Sequence, residues 1–372
     1  MRAAGCRPYG ADLRMIRKGE FPMSKKALIA MSGGVDSSVA AAKMVEAGYD
    51  CRGITMRLHD GDNCGAAKEA EDARNIAEQL GFPFEVADLR EVFSKQVMDR
   101  FVSAYEAGDT PNPCIECNRY MKFGALMEYA KDKGCDLLVT GHYARVEYDG
   151  EKYRLRKAVN LAKDQTYVLY FLTQEQLAHI AFPLGEMESK EQIRGVAAAY
   201  GFVSAHKADS QDICFVPDGK YADFIRQRTG REYPVGDFVD AEGKVLGQHK
   251  GLIHYTIGQR RGLGLALPAP LYVRRKDREN NTVLLTHESE LYTTRLVADS
   301  FNWVDGEAPT EPVKVTACTR YNAREAAATV TALPDGRAEV VFDTPQRAVT
   351  TGQAVVLYDG EYVVGGGRIC EV

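Results

Sequence analysis

The chain has 372 residues, 45% of them apolar, and a formal net charge of −5 at neutral pH. That length supports two or three domains with large cores, and no apolar run reaches the roughly 18 residues that a membrane-spanning helix needs. Nine cysteines, an odd number without a secretory leader, argue for reduced thiols in a cytoplasmic protein, and the acidic balance argues against diffuse nucleic-acid binding while leaving room for a local basic face.

In chain order, residues 1–22 carry several Arg, Pro8 and Gly10 but no Ser and no apolar block. They fit neither a secretory signal nor a typical transit peptide, and a disordered, dispensable leader is expected. Ala27-Leu28-Ile29-Ala30-Met31 then reads as a buried strand, Ser32–Ser38 as a glycine turn, and Val39–Glu46 as a helix stopped at Gly48. Strand character at Gly53–Met56, a helix over Ala66–Leu80, a strand at Phe84–Val86, helices around Glu91–Tyr105 and Tyr120–Lys133, and a buried strand at Asp136–Thr140 follow. This alternation predicts a parallel sheet covered by helices, with ligands at the carboxyl ends of the strands. A hairpin at Asp149-Gly150 and further helical stretches lead to Tyr200. From about Phe215 the segments become short and glycine-punctuated. Beyond Leu271 nearly everything reads as strand, at Thr282–Thr286, Val313–Ala317, Ala326–Leu333, Glu339–Phe342, Gln353–Tyr358 and Tyr362–Val364, which predicts a small closed or sandwiched β domain. The expected division is a leader at 1–22, a nucleotide-binding α/β domain at 23–213, a small central domain at 214–272 and a C-terminal β domain at 273–372.

The Ser32–Ser38 turn carries the first chemical signal. A strand, a glycine turn and a helix start present backbone N–H groups to an anion. Gly33 and Gly34 admit phosphate closely because no Cβ intervenes, and the helix N-terminus adds about half a positive charge. Asp36 would repel phosphate unless a divalent cation bridged them, so Mg²⁺ is expected with ATP. Met56 and Gly141 also follow strands and face the same crevice. The ordinary triphosphatase loop, Gly-x-x-x-x-Gly-Lys-Ser/Thr, is absent, and Gly262-Leu-Gly264 lacks the third glycine of a dinucleotide fingerprint. The remaining motif resembles the PP-loop of ATP pyrophosphatases, which split ATP into AMP and pyrophosphate. The alternative is an ordinary Gly-Gly turn opening a helix.

The second signal is Thr110-Pro111-Asn112-Pro113-Cys114-Ile115-Glu116-Cys117-Asn118. Cysteines at i and i+3 can ligate a metal, form a disulfide or simply pack, and a helix start lowers a thiol pKa. Cys214, in Asp212-Ile213-Cys214-Phe215, is a third thiol whose plain reading is core packing.

Together these pieces resemble the tRNA-specific 2-thiouridylases, from about Lys25 to the C-terminus. The likeness rests on the PP-loop, the Cys114–Cys117 loop, Gly141-His142-Tyr143-Ala144-Arg145, Lys163-Asp164-Gln165-Thr166-Tyr167, Tyr255–Gly264, Arg320-Tyr321 and Thr351-Gly352-Gln353, in that order. It implies an α/β fold in which a parallel-sheet PP-loop domain, of the adenine nucleotide α-hydrolase-like kind, precedes a small central domain and a C-terminal β-barrel-like domain. It implies a sulfurtransferase that makes 2-thiouridine at the wobble position of tRNA, adenylating the 2-carbonyl oxygen with ATP and Mg²⁺. Cys117 and Cys214 would be catalytic, with Cys214 receiving a persulfide and Cys117 attacking it to release sulfide or leave a disulfide. Ala30, Met31, Ser32, Gly33, Gly34, Val35, Asp36, Ser37, Met56 and Gly141 would hold ATP. Asn112, Pro113, Cys114, His142, Lys163, Asp164, Gln165, Arg320, Tyr321 and Gln353 would meet the tRNA anticodon stem-loop. A cysteine desulfurase or sulfur carrier would supply the persulfide, and no membrane is involved.

One departure matters. Many family members carry an aspartate where this chain has Cys114, and Thr-Gly where it has Gln211-Asp212, so the aspartate's acid/base or base-orienting role does not carry over. Cys114, Cys117 and Cys214 with an open position would instead suit an iron–sulfur cluster; the other reading is a thiol-only relay. His142 could equally cap or pack, Lys163-Asp164-Gln165 could be a solvated turn, and a β-domain tyrosine such as Tyr321 is usually core. Two functions of other classes compete: a PP-loop synthetase acting on a small amide or carboxylate, and a non-enzymatic RNA-binding module with zinc at Cys114 and Cys117.

Overall fold

Lys26–Ala30 (β1) is covered on both faces, with Ala27, Leu28 and Ile29 each at most 2% exposed. A strand of that kind belongs inside a parallel sheet. In the computed structural model, which describes residues 25–59, 65–207, 213–216 and 219–372, β1 is the central strand of five. The expected leader and Gln211-Asp212 lie outside the described residues.

The first region runs α1 (Val35–Glu46), β2 (Asp50–Arg57), α2 (Gly65–Leu80) and β3 (Phe84–Asp88). A long helical stretch follows: α3 (Arg90–Phe93), a π-helical turn at Ser94–Met98 and α4 (Asp99–Glu106). After the Asp109–Asn112 loop come α5 (Pro113–Glu116), a second π-helical segment at Cys117–Ala125, α6 (Leu126–Asp132) and β4 (Leu137–Val139). Then come β5 (Ala144–Tyr148), β6 (Tyr153–Lys157), α7 (Gln174–Ala178), β7 (Ile180–Ala181) and α8 (Lys190–Ala199). The sheet order is β3-β2-β1-β4-β7, parallel throughout. α1 is buried along most of its length, from Val35 and Ser37 to Ala42, because α8 covers the side turned away from the sheet. The order turns back between β1 and β4, where a parallel α/β sheet opens its ligand crevice.

The central unit comprises α9 (Tyr221–Thr229), β8 (Gly236–Val239), β9 (Val245–His249), β10 (Tyr272–Asp277) and β11 (Thr282–Thr286). β11 runs parallel to β8, and Phe238, Val273, Val283 and Leu285 form the shared core. Thr282–Thr286, grouped by its strand character with the C-terminal β region, therefore pairs into the central sheet instead.

The last region is an antiparallel barrel of β12 (Tyr292–Trp303), β13 (Val313–Cys318), β14 (Ala326–Ala332), β15 (Ala338–Arg347), β16 (Ala354–Asp359) and β17 (Tyr362–Glu371). Pairing of β12 with β17 closes it. The β5–β6 hairpin leaves the first region and joins this sheet, with Tyr362 opposite Arg156. The expected hairpin is there, but its partner strand lies some two hundred residues away in sequence. Among the described residues no helix is long and apolar enough to cross a membrane.

Candidate active site

The Ser32–Ser38 loop follows β1 and ends in α1. Gly33 has φ of +70°, and a Cβ there would overlap the Glu69 carbonyl oxygen of α2. The position needs glycine both for its left-handed backbone and for the close approach of α2. The serines shape the loop from within: Ser37 and Ser38 Oγ donate to the Gly34 carbonyl at 3.1 and 2.8 Å, and Ser32 N–H donates to Ser37 Oγ at 3.1 Å. The first α1 amide to find a helical carbonyl is Ser38 N, on Gly34 O at 3.2 Å, so Val35, Asp36 and Ser37 supply the first-turn donors. Gly141 abuts this turn, for a Cβ on it would lie 2.9 Å from Ser37 N. Ala30–Ser37 and Gly141 are therefore one assembly. Met31 continues the sheet through its amide to Ile54 O at 2.8 Å, and Met56 packs both on the sheet and against Phe93.

Two lysines that no local pattern singled out complete this corner. Lys190, at the start of α8, donates to both Asp36 carboxylate oxygens at 2.8 and 2.9 Å, and Tyr143 Oη donates to Asp36 Oδ1 at 2.7 Å. Lys207 donates to the Gly33 carbonyl at 3.0 Å and pairs with Asp72 at 2.5 Å. Ser204 Oγ donates to Ser38 Oγ at 3.1 Å. Residues 204–207, just ahead of the Cys214 segment, are thus fastened to the loop. For Mg²⁺ the fit is adequate, because that ion takes one or two carboxylates and completes its shell with phosphates and water; Asp36 supplies such a carboxylate.

The cysteine loop is built by a helix start. Asn112 Oδ1 caps α5 by accepting from Cys114 N at 3.1 Å, and Pro113 takes the first helical position. Cys117 sits one turn on, in a cluster with Met56, Phe93, Met121 and Phe215. Phe215 anchors the third cysteine, its ring lying 5.8, 5.3 and 5.0 Å from those of Phe93, Phe101 and Phe224. Cys214, one residue before Phe215, is thereby held beside the cluster on which Cys117 packs. All three are free thiols; Cys114 and Cys214 are exposed and Cys117 is half-buried.

The expected activation of these thiols by a helix start is not what the packing produces. Burial among protein atoms raises all three, Cys214 to about 12, and the neighbouring thiolates add to the rise at Cys214 and Cys117. Cys114 and Cys117 lie in the first turns of a helical stretch that runs on through Ala125 to Asp132, and desolvation outweighs that helix start. Lys122 is the countering charge, lowering both Cys114 and Cys117. Replacing Lys122 with Met should therefore raise the Cys117 thiol further and slow its alkylation by iodoacetamide roughly three- to tenfold at fixed pH. In the unmodified protein the alkylation rate should climb about tenfold per pH unit through neutral and mildly alkaline pH, since a raised thiol gains thiolate only as pH rises. Peptide mass mapping of the alkylated protein checks both.

His142, expected to meet tRNA, is 6% exposed. Its Nε2 lies 3.4 Å from Lys122 Nζ and its Nδ1 2.7 Å from Thr140 Oγ1, while Phe123 and Phe182 pack on the ring. Burial and Lys122 hold it neutral. Lys122 can only donate, so Nδ1 carries the proton and donates to Thr140. This histidine positions Lys122 and offers no surface to RNA.

The other expected tRNA residues fall into two places. Asp164 accepts from Ala158 N at 2.9 Å and from Thr166 N at 3.2 Å, and Gln165 Oε1 accepts from Tyr143 N at 3.0 Å. Their side chains build the turn that follows Lys163. Tyr321 and Arg320 are exposed on the barrel, and Tyr321 Oη donates to Asp164 O at 3.4 Å. Tyr321, Asp164, Tyr167, Tyr358 and Lys157 line a cavity of about 180 Å³. Gln353 lies elsewhere, donating to Thr110 O at 2.7 Å while Thr110 N donates to Thr351 O at 3.0 Å, so the barrel grips the loop ahead of Cys114. Asn112, Pro113 and Gln353 line a second cavity, of about 250 Å³, with Arg100, Arg119 and Arg368. It receives Glu116 and Arg119 but neither cysteine, and so opens on the other face of that helical turn. Arg119 stacks 5.1 Å from the Phe171 ring with its Nε buried and unpaired. Among the described residues no three His, Cys, Asp or Glu side chains are arranged to hold a metal ion.

Comparison with known proteins accounts for nearly all of the described chain. The tRNA methyl transferase HUP domain family matches residues 25–218, the tRNA methyl transferase PRC-barrel domain residues 222–287, and the aminomethyltransferase β-barrel domain residues 293–369. The chain is 49% identical over 356 residues to a tRNA-specific 2-thiouridylase MnmA of Acetivibrio thermocellus, covering 93% of this chain and 99% of that protein. It is 48% identical over 353 residues to the protein of that name in Moorella thermoacetica, covering 92% and 98%. For that of Carboxydothermus hydrogenoformans the figures are 47% over 356 residues, covering 93% and 97%. With identity of this order along nearly its full length, the chain belongs to the tRNA-specific 2-thiouridylase family.

Proposed function

We propose that this protein is an ATP-dependent tRNA-uridine 2-sulfurtransferase acting on the wobble uridine. The observation that carries the reading is the meeting of the end of β2, beside the phosphate-loop strand, with both cysteine-bearing segments: Met56, Cys117 and Phe215 pack on one cluster although they come from three separate stretches of chain. Neither a small-amide synthetase nor a zinc-holding RNA module calls for that juxtaposition.

The 2-carbonyl of uridine is amide-like, and its oxygen leaves poorly. At the Ser32–Ser38 loop the oxygen attacks the α-phosphorus of ATP, the bond to the β-phosphate breaks, and pyrophosphate departs with the electron pair as the uridine N3 proton is lost. Bound Mg²⁺, held through Asp36, would neutralise phosphate charge. The terminal sulfur of a Cys214 persulfide then attacks C2 and AMP leaves. Cys117 attacks Cys214 Sγ, the S–S bond to the substrate breaks, and 2-thiouridine is released as N3 regains its proton. The two electrons that turn sulfane sulfur into the thione come from the two cysteines, which end as a disulfide. A reductant and a persulfide donor protein must renew them; in the variant with free sulfide, Cys117 attacks the persulfide before C2 is reached.

The anticodon loop offers unpaired bases at low cost. Arg320 and Tyr321 on the barrel and the arginine-lined cavity beside Asn112 and Gln353 suit RNA phosphate and stacked bases. We infer a cytosolic location, which the tRNA substrate of this reading supports.

The test is anaerobic purification with iron and sulfide analysis, then incubation with ATP, Mg²⁺, a protein persulfide donor and a tRNA carrying a wobble uridine. The expected result is one AMP and one pyrophosphate per 2-thiouridine, read by nucleoside mass spectrometry, in protein without iron. AMP formation on small amides without tRNA would overturn the reading, and iron lost together with activity in Cys114→Ala would overturn the thiol-only relay.

A further inference from the structure

The Tyr255–Gly264 string has no part in the chemistry above, yet the fold gives it a definite place. At its base Tyr255 O accepts from Lys276 Nζ at 3.1 Å, and the same ammonium lies 3.5 Å from the Asp109 carbonyl, at the start of the loop that leads to Cys114. Gly258, with φ of +80°, packs on the barrel: a Cβ there would lie 2.8 Å from that of Ala348, on the segment that runs on to Gln353. The string therefore rises between the cysteine loop and the barrel segment that grips it.

Its outer turn is preorganised. Gly258 N donates to Val273 O at 2.7 Å and Gln259 O accepts from Val273 N at 2.9 Å, which ties the turn to β10. The Gln259 side chain braces it from within, accepting from Thr256 N at 3.0 Å and donating to Arg261 O at 2.9 Å. Gly262 and Gly264 follow with φ of +76° and +74°, and a Cβ on Gly264 would meet nothing, so the space beside it is open. Arg260 and Arg261 stand exposed on this turn. Other surface arginines are held by carboxylates, Arg156 by Glu361, Arg295 by Glu339 and Arg368 by Asp299. Arg260 and Arg261 have no such partner among the described residues. Between residues 250 and 291 no large apolar side chain is exposed, so the anchors that a protein partner would need are missing.

We propose that this turn is a tRNA-binding arm of the central unit, whose two guanidinium groups and open glycine backbone contact the sugar-phosphate backbone beside the anticodon loop. This rests on the tRNA reading above. A guanidinium offers phosphate a planar fork of donors, and glycines let the RNA backbone come close. With a net charge of −5 the chain gains little from diffuse attraction, so phosphate contacts must be local. Such contacts fix the register of the RNA without reading its bases. The arm thus sets affinity and placement and leaves the chemical steps to the loop and the thiols.

The experiment uses the full chain and a tRNA carrying a wobble uridine, with filter binding at several salt concentrations and AMP formation at saturating tRNA. The double variant Arg260→Ala, Arg261→Ala should bind tRNA about tenfold or more weakly, with a salt slope smaller by about one to two, and keep its maximal rate of AMP formation. Gln259→Ala, which removes the brace and leaves the charges, should weaken binding several-fold with little change in slope. A double variant with the affinity and salt slope of the unmodified protein overturns the proposal. So does one that binds tRNA normally but thiolates slowly from a persulfide donor protein, since the arm would then dock a protein. Loss of the maximal rate at saturating tRNA, with affinity intact, also overturns it. Should the unmodified protein bind tRNA yet make no AMP with it, the functional reading fails, while the binding comparison still decides the role of the arm.

Discussion

Replacing either Cys117 or Cys214 with serine should stop tRNA thiolation, with turnover falling by about three orders of magnitude or more. A serine hydroxyl cannot carry a persulfide, and it cannot open one reductively. The two steps of the reaction should separate cleanly in these variants. The Ser32–Ser38 loop and its lysines are untouched, so Cys117→Ser should still form AMP on tRNA while yielding no 2-thiouridine. Cys214→Ser should behave alike when a persulfide donor protein is supplied. If Cys214→Ser thiolates at the normal rate with that donor, the sulfur path is wrong. Cys114 is the internal control: it is exposed and no step above uses its thiol, so Cys114→Ala should keep much of the activity. Cys114→Asp, which restores the commoner family residue, should do at least as well.

Gly33→Val should be nearly as damaging at the other half of the site. Gly33 has φ of +70°, a conformation that a β-branched residue adopts only under strain, and its missing Cβ is where the Glu69 carbonyl of α2 lies. The loop cannot shift away freely, because Lys207 holds the Gly33 carbonyl and the Ser37 and Ser38 hydroxyls hold that of Gly34. We expect the rate of AMP formation per bound tRNA to fall by roughly 10²- to 10³-fold, as when preorganised donors are lost. The thiols lie on other elements, so their alkylation rates should be unchanged. A Gly33→Val protein that unfolds at the normal temperature and makes AMP at the normal rate would show that the loop does not bind phosphate.

These expectations draw on two kinds of information. Local pattern alone determined the strand, glycine turn and helix at Ala27–Glu46, the helix start beside Cys114, the hairpin at Asp149-Gly150 and most strands of the barrel. Each is set by backbone preference and by periodicity over a few residues, which the sequence displays directly. The family likeness came from the same short strings in order. Tertiary structure alone decided the charges at the site. Lys190 is 154 residues from Asp36, and Lys207 is 174 from Gly33, so nothing nearby marks either as a partner of the loop. It also decided that β11 pairs with β8 and that the β5–β6 hairpin completes the barrel sheet, because strand pairing is settled by competition among distant edges. His142 read as a candidate RNA contact and became a buried support for Lys122 for the same reason: exposure is a property of packing. The thiols make the point most sharply. A helix start beside Cys114 argues for an acidic thiol, yet desolvation by residues brought from separate stretches of chain outweighs it, and only the folded arrangement sets that balance.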